Sequence, residues 1–218
     1  MNCQSFVVAP LISEFYYLYV QKKPQMRILF AVVIMALAGW AFTNRAEVTK
    51  MSISTDASKI DWAATKKTGY HNGIIKLKSG EVQLENNKLV GGTFVIDVTS
   101  LNATDFVDNP KENSLVKHLM GKDFLETEKF PEATFEITKV DYKDATNATL
   151  TGNFTLKGNT LPLSFPVTIN SADEKRFFGF AHFSFDRTMW GVTYDPNRAS
   201  KDVNIGVYLL ASAPAPAK

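Results

Sequence analysis

In run after run along this chain, apolar residues recur at every second position, and no feature limits its fold more. Leu161, Leu163, Phe165, Val167 and Ile169 alternate with Pro162, Ser164, Pro166, Thr168 and Asn170. Phe94, Ile96 and Val98 do the same, as do Val203, Ile205, Val207 and Leu209. A period of two places successive side chains on opposite faces of a strand, so each run reads as a half-buried β-strand. Leu150, Phe154 and Leu156 share a face, with Gly152 at a slot that suits a kink or a close approach. Pro162 and Pro166 fall on an outward face and predict an edge or a strand end, since proline offers no N–H to a ladder.

The breaks between runs carry turn chemistry. Asn86-Asn87 joins two short apolar stretches and predicts a two-residue hairpin, because asparagine tolerates positive φ. Gly91-Gly92, Lys157-Gly158-Asn159 and Asp195-Pro196-Asn197 read as further breaks. One short helix is predicted over Ser114–Met120, with Asn113 as its cap and Gly121 as its stop. Many short strands and one helix make an all-β domain, and the period by itself does not choose between sandwich and barrel.

Charge excludes one class of function. The first 38 residues hold three of the 24 basic groups and one of the 22 acids, which leaves the rest of the chain balanced. A neutral body lacks the clustered cations that nucleic-acid binding requires. The single cysteine is Cys3, so the body has no disulfide, no Cys-ligated zinc and no thiol nucleophile.

Residues 1–42 read as a targeting segment. Lys22, Lys23 and Arg27 precede an apolar run from Ile28 to Phe42, and Ala36-Leu37-Ala38 supplies small residues at a cleavage site. The run is about 15 residues, short of the ~20 that span a bilayer. A cleaved export signal is therefore expected, with an uncleaved inner-membrane anchor as the alternative, and a periplasmic or secreted home. Met26 reads as the natural start, with residues 1–25 preceding it. Residues 43–53 read as a linker, 54–211 as the domain and 212–218 as a disordered Ala/Pro tail.

Twelve of the 16 phenylalanines fall in the body, all between Phe94 and Phe185. Phe177, Phe178 and Phe180 followed by Phe183 and Phe185 exceed what one strand face needs, which suggests a register change near Ala181-His182 and a phenyl-lined tunnel. Phe124 and Phe130 bracket the acidic turn of Asp123, Glu126 and Glu128 and are placed as an end plug. His71, His118 and His182 show no metal-ligand spacing, and no Gly-x-Ser-x-Gly or phosphate loop occurs. No catalytic or metal-binding residue is assigned. A lipid-acting hydrolase using His71, which lies between Gly69 and Gly73, and a filled barrel with an interaction or stress role are the competing readings.

Several segments resemble the YceI-like, polyisoprenoid-binding family of bacteria. Lys59-Ile60-Asp61-Trp62 with Gly69-Tyr70-His71-Asn72-Gly73 and Ser79-Gly80 is similar to that family's opening stretch. Asp123-Phe124-Leu125-Glu126-Thr127-Glu128-Lys129-Phe130-Pro131-Glu132-Ala133-Thr134-Phe135 resembles its central run. Thr149 to Thr160 and Phe185-Asp186-Arg187-Thr188-Met189-Trp190-Gly191 resemble two later blocks, although Asn159 and Leu161 depart from the family's usual residues. The resemblance implies an extended lipocalin-like antiparallel β-barrel of about eight strands with one short helix. It also implies non-catalytic binding of a long-chain isoprenoid, isoprenoid quinone or similar amphiphilic lipid, with no cofactor and a homodimer as the assembly admitted. On that reading Phe94, Phe154, Phe165, Phe180, Phe183 and Trp190 are expected to line the lumen, and His71 and Arg187 to stand at the mouth. Burying hydrocarbon gains about 0.8 kcal/mol per CH₂, so a prenyl tail supplies ample driving force.

Overall fold

A computed structural model describes residues 47–104, 114–195 and 197–213. The targeting segment, the start at Met26, Pro196 and residues 214–218 lie outside them. The strands are β1 (Val48–Ile53), β2 (Lys59–Lys66), β3 (Gly69–Glu85), β4 (Lys88–Ala103), β5 (Glu132–Tyr142), β6 (Asn147–Leu156), β7 (Asn159–Ala172), β8 (Arg176–Asp186) and β9 (Ala199–Ser212). Helix α1 (Ser114–Met120) follows β4, and a 3-10 turn (Arg187–Trp190) follows β8.

The strands are antiparallel and close into a barrel of eight positions, β3 pairing with β4 to seal it. Nine strands fill eight positions because β1 and β2 share the slot between β3 and β9. β2 runs along Gly69–Ile75 of β3, while β1 runs along Glu81–Glu85 and meets Ala211 and Ser212 of β9. The step between them is stitched to Leu210: Ser54 N donates to its carbonyl at 2.8 Å, and its own N–H donates to Ser58 Oγ at 3.0 Å. β1 therefore corrects the domain boundary. Residues 48–53 belong to the barrel and not to a linker, since Met51 and Ile53 alternate inward and Met51 is fully buried.

The turn chemistry resolves in two ways. Asn86 and Asn87 both take positive φ (51° and 61°), as do Lys157 and Gly158 (50° and 76°), and both pairs close two-residue hairpins. Gly91-Gly92, read as a break, instead lies inside β4 opposite Gln83 and Val82. A Cβ on Gly92 would sit 2.7 Å from the Glu81 carbonyl, so the glycine marks a close backbone approach within a continuing strand. Gly152 is the same device in β6: the Phe135 ring occupies the space that a side chain there would fill, 2.6 Å from the position of its Cβ.

One end of the barrel, the floor, is closed by Met51, Val82, Leu84 and Leu89, all nearly or fully buried. Tyr142 caps it, its hydroxyl accepting from Leu89 N at 2.6 Å, and burial pushes that phenol above its ordinary pKa. At the other end, the mouth, α1 sets Leu115 and Leu119 toward the interior and buries Val116 against Trp62, Leu101 and Ala103.

The wall is unevenly zipped. β6 and β7 pair without interruption from Asn159 to Thr168, and β8 and β9 from Arg176 to Asp186. The β7–β8 ladder, by contrast, runs only from Thr168 to Ala172 on β7. Ile169 N donates to Thr146 O on the β6 side. Main-chain groups of one parity share a side, so those of Pro162, Ser164, Pro166 and Thr168 face β8. The two prolines thus stand without N–H groups along a seam inside a closed sheet, which is how prolines expected at an edge fit a strand with two neighbours.

A candidate lipid cavity

The interior encloses a cavity of about 430 Å³ that runs from Val82, Leu89 and Phe177 near the floor to α1 and the 187–199 segment at the mouth. Pockets holding small molecules span about 300–1,000 Å³, so this one falls within their range. An eight-position barrel is just wide enough to be filled by its own side chains or to hold a slim ligand. Here it is not filled.

Phenyl rings form a row across the lumen. Phe94 and Phe135 have centroids 6.4 Å apart, Phe135 and Phe165 5.3 Å, and Phe165 and Phe183 4.1 Å with planes 10° apart. Gly152 makes the row continuous, because its missing side chain lets the Phe135 ring fold across β6. Above this row Phe154 and Phe185 meet edge to face at 5.6 Å. Phe94, Phe154, Phe165 and Phe183 all line the cavity, on β4, β6, β7 and β8.

Phe180 and Trp190, also expected there, are placed differently from those four. β8 pairs with β9 in unbroken register from Arg176 to Asp186, so there is no shift at Ala181-His182. Phe177, Gly179, Ala181, Phe183 and Phe185 therefore share the inward parity. Phe180 is among the residues that line the cavity, and its ring packs against Tyr208 and His182. Trp190 is 1% exposed but is not part of the lining. It packs behind Phe154 and Phe185 and donates its indole N–H to the Phe154 carbonyl at 2.9 Å, which locks the 3-10 turn onto β6.

Arg187 and His71, the two polar residues expected at the mouth, both line the cavity. Arg187 is 4% exposed. Its guanidinium donates to the carbonyls of Ser200 (2.9 Å), Val192, Tyr194 (2.8 Å) and Ala199 (3.3 Å), and lies over the Phe124 ring at 5.3 Å. It ties the 192–200 segment to the barrel. Burial pushes its pKa below the ordinary arginine value, and the Asp186 carboxylate opposes that shift. His71 stands at the rim, its Nε2 2.7 Å from Lys66 Nζ.

Several mouth residues were not legible beforehand. His118 on α1 packs edge-on against Phe124 (5.1 Å) and Tyr194 (4.6 Å), and those two rings meet at 4.8 Å. Phe124 thus joins a ring cluster in the lining, whereas Phe130, paired with it in the sequence reading, packs under Gly158 beside Lys129. Helical spacing could have found His118, which shares a face with Leu115 three residues before it. The hairpin around Gly69 could have found Lys66, since Ala64 pairs with His71. Nothing local points to Tyr194 or Arg198, which the long connection after Trp190 brings to the rim.

Comparison with known proteins places this architecture. A profile of the YceI-like domain matches residues 51–211. UPF0312 proteins of Shewanella sp. (strain ANA-3) and Yersinia pestis (strain Pestoides F) are 36% and 33% identical over 94 residues, 41% of this chain. These stretches cover 49% and 48% of the relatives, so the match spans about half their length. Among solved structures, BcnA of Burkholderia cenocepacia has a TM-score of 0.63 at 19% identity, over 73% of this chain and 99% of that one. A polyisoprenoid binding domain from Saccharophagus degradans has a TM-score of 0.56 at 15% identity, over 77% and 100%. At those identities the likeness establishes the fold.

Proposed function

The chain belongs to the YceI-like domain family, and from that premise we propose that it holds a long-chain isoprenoid or similar amphiphile in its lumen, for storage or transport, without reacting with it. The observation that carries this reading is the cavity of about 430 Å³, whose wall from floor to ring row is hydrocarbon. A prenyl tail there exchanges water for phenyl and aliphatic contacts at about 0.8 kcal/mol per CH₂. The preformed barrel lowers the cost of ordering the tail. The neighbouring fold named as a polyisoprenoid binding domain supports the same ligand class. The head group then lies at the mouth, where the polar lining is gathered.

Export belongs to the same proposal. The apolar run after Arg27 would carry the barrel across the inner membrane, and fractionation of cells expressing the full chain tests this. The ligand reading is tested by extracting purified protein with organic solvent and by native mass spectrometry. A bound lipid of prenyl type is the expected result. Protein that carries none, and takes up no C20 to C40 prenyl lipid when offered it, defeats the reading.

A further inference from the structure

We infer that the amphiphile carries an anionic head group. This deepens the carrier reading and rests on it. Among the described residues that line the cavity, the ionisable side chains are Lys66, Arg187, Arg198, His71, His118 and Tyr194, and none is a carboxylate. All six stand at the mouth, while the lining near the floor, at Val82, Leu89 and Phe177, is apolar. Of the nearby acids, Asp195 pairs with Arg198 at 3.1 Å, and Asp186 accepts from Thr188 N at 2.8 Å. Neither lines the cavity.

Asp195 offsets Arg198 and Asp186 stands beside Arg187, so Lys66 gives the opening its net positive charge. Arg187 is bound to carbonyls, so it acts as a fixed buried charge rather than a direct ligand. Lys66, exposed and on a flexible stem, can reach a head group. A charge beside a low-dielectric lumen is weakly screened, so a carboxylate or phosphate head is favoured over a neutral one.

The test titrates the delipidated full-length protein, in low salt, with a C20 prenyl monophosphate, the matching C20 alcohol and a C18 fatty acid. Both anions should bind at least tenfold tighter than the alcohol, with the gap narrowing in added salt and in a Lys66→Met/Arg198→Met variant, both sites being exposed. Preference for the phosphate alone assigns a phosphoryl head, and equal preference assigns charge as the determinant. An alcohol that binds as tightly as the anions overturns this inference and leaves the carrier reading standing. Failure of all three to bind overturns both.

The incomplete ladder independently carries a second inference: we propose that the tail enters sideways, between β7 and β8. Above Thr168 the two strands share no ladder, and Pro162 and Pro166 remove two N–H groups from the side of β7 that faces β8. The inner surface of this seam is closed by the stacked rings of Phe165 and Phe183, with Leu163 and Phe185, all in the cavity lining. Opening the wall here displaces a stack of rings, whereas opening it where a ladder runs must break main-chain hydrogen bonds. The mouth itself is covered by the His118, Phe124 and Tyr194 cluster. A lateral opening lets a tail slide in while its head stays in water.

Extending the Thr168↔Phe180 register places Ser164 opposite Ser184, both on the outer face. A Ser164→Cys/Ser184→Cys variant, made with Cys3→Ser, would lock the seam when oxidised. Uptake of a fluorescent prenyl lipid from vesicles should slow at least tenfold in the oxidised protein and recover on reduction. Uptake unchanged by a formed crosslink overturns the proposal. If no crosslink forms, a Pro162→Thr/Pro166→Thr variant restores the N–H groups and should slow uptake; an unchanged rate overturns the proposal equally.

Discussion

Phe165 and Phe183 lie face to face, with centroids 4.1 Å and planes 10° apart, across the part of the wall where β7 and β8 share no ladder. Their packing stands in for main-chain hydrogen bonds at that place. The same rings belong to the row that crosses the lumen, so the weakest-zipped part of the barrel is also part of the candidate site.

This predicts different behaviour for two phenylalanines that look alike in the sequence. Phe165→Ala removes a 9%-exposed ring from the row. It should cost about 3 kcal/mol in urea denaturation, the low end for Phe→Ala because one side of the ring faces a cavity. Lipid affinity should change with it. Phe180→Ala, on the parity opposite Phe183 and with its ring against Tyr208, should leave lipid affinity within twofold of the parent. A larger loss in Phe180→Ala than in Phe165→Ala would show that the parity assigned to β8 is wrong.

Gly152→Ala tests the gap that the Phe135 ring occupies. The new Cβ would fall 2.3 Å from the Glu136 carbonyl and 2.6 Å from the ring. Forcing either to move should cost about 1–3 kcal/mol, as overpacking does. Thermal denaturation checks it, and a melting temperature equal to the parent's would contradict the close approach.

Arg187→Met keeps much of the side chain's volume and removes its five N–H donors. Carbonyls of Ser200, Val192, Tyr194 and Ala199 then lose their partner. Buried acceptors left unpaired cost about 1–3 kcal/mol each where water cannot reach them, so a total loss of at least about 3 kcal/mol is expected. Hydrogen exchange should show the 192–200 segment loosened first. Uniform loss of protection across the whole barrel would instead mark Arg187 as a general core residue.

Asp144 supplies the pH dependence. Its carboxylate accepts from the Asn147 side chain (2.9 Å), from Thr146 N (2.9 Å) and from Asn147 N (2.7 Å), and these bonds pull its pKa down to about 2. The folded value lies below the ordinary 3.8, so its contribution to stability is complete above about pH 4 and is lost as pH falls through about 2. Asp144→Asn should lower the melting temperature at pH 7, and the gap should shrink on acidification to pH 2. A gap independent of pH would exclude ionisation as its source.

The sequence by itself determined the alternation that became β4, β6, β7 and β9, the helix, the hairpin at Asn86-Asn87, the break at Lys157-Gly158-Asn159, and an interior rich in phenyl groups. Each follows from local physics: period-two burial, positive φ at asparagine and glycine, and a glycine stop after a short helical face. Only the tertiary structure decided which parity of β8 points inward. Both parities there are aromatic, so the pattern is degenerate, and the choice falls to the register against β9, which begins only at Ala199, beyond the 3-10 turn and the connection after it. The same holds for Trp190, which reads as lining but is held behind the wall by a bond to Phe154 O. The mouth likewise gathers residues from β2, β3, α1 and the 187–199 segment, whose proximity comes from barrel closure, and closure leaves no periodic trace in any one of them.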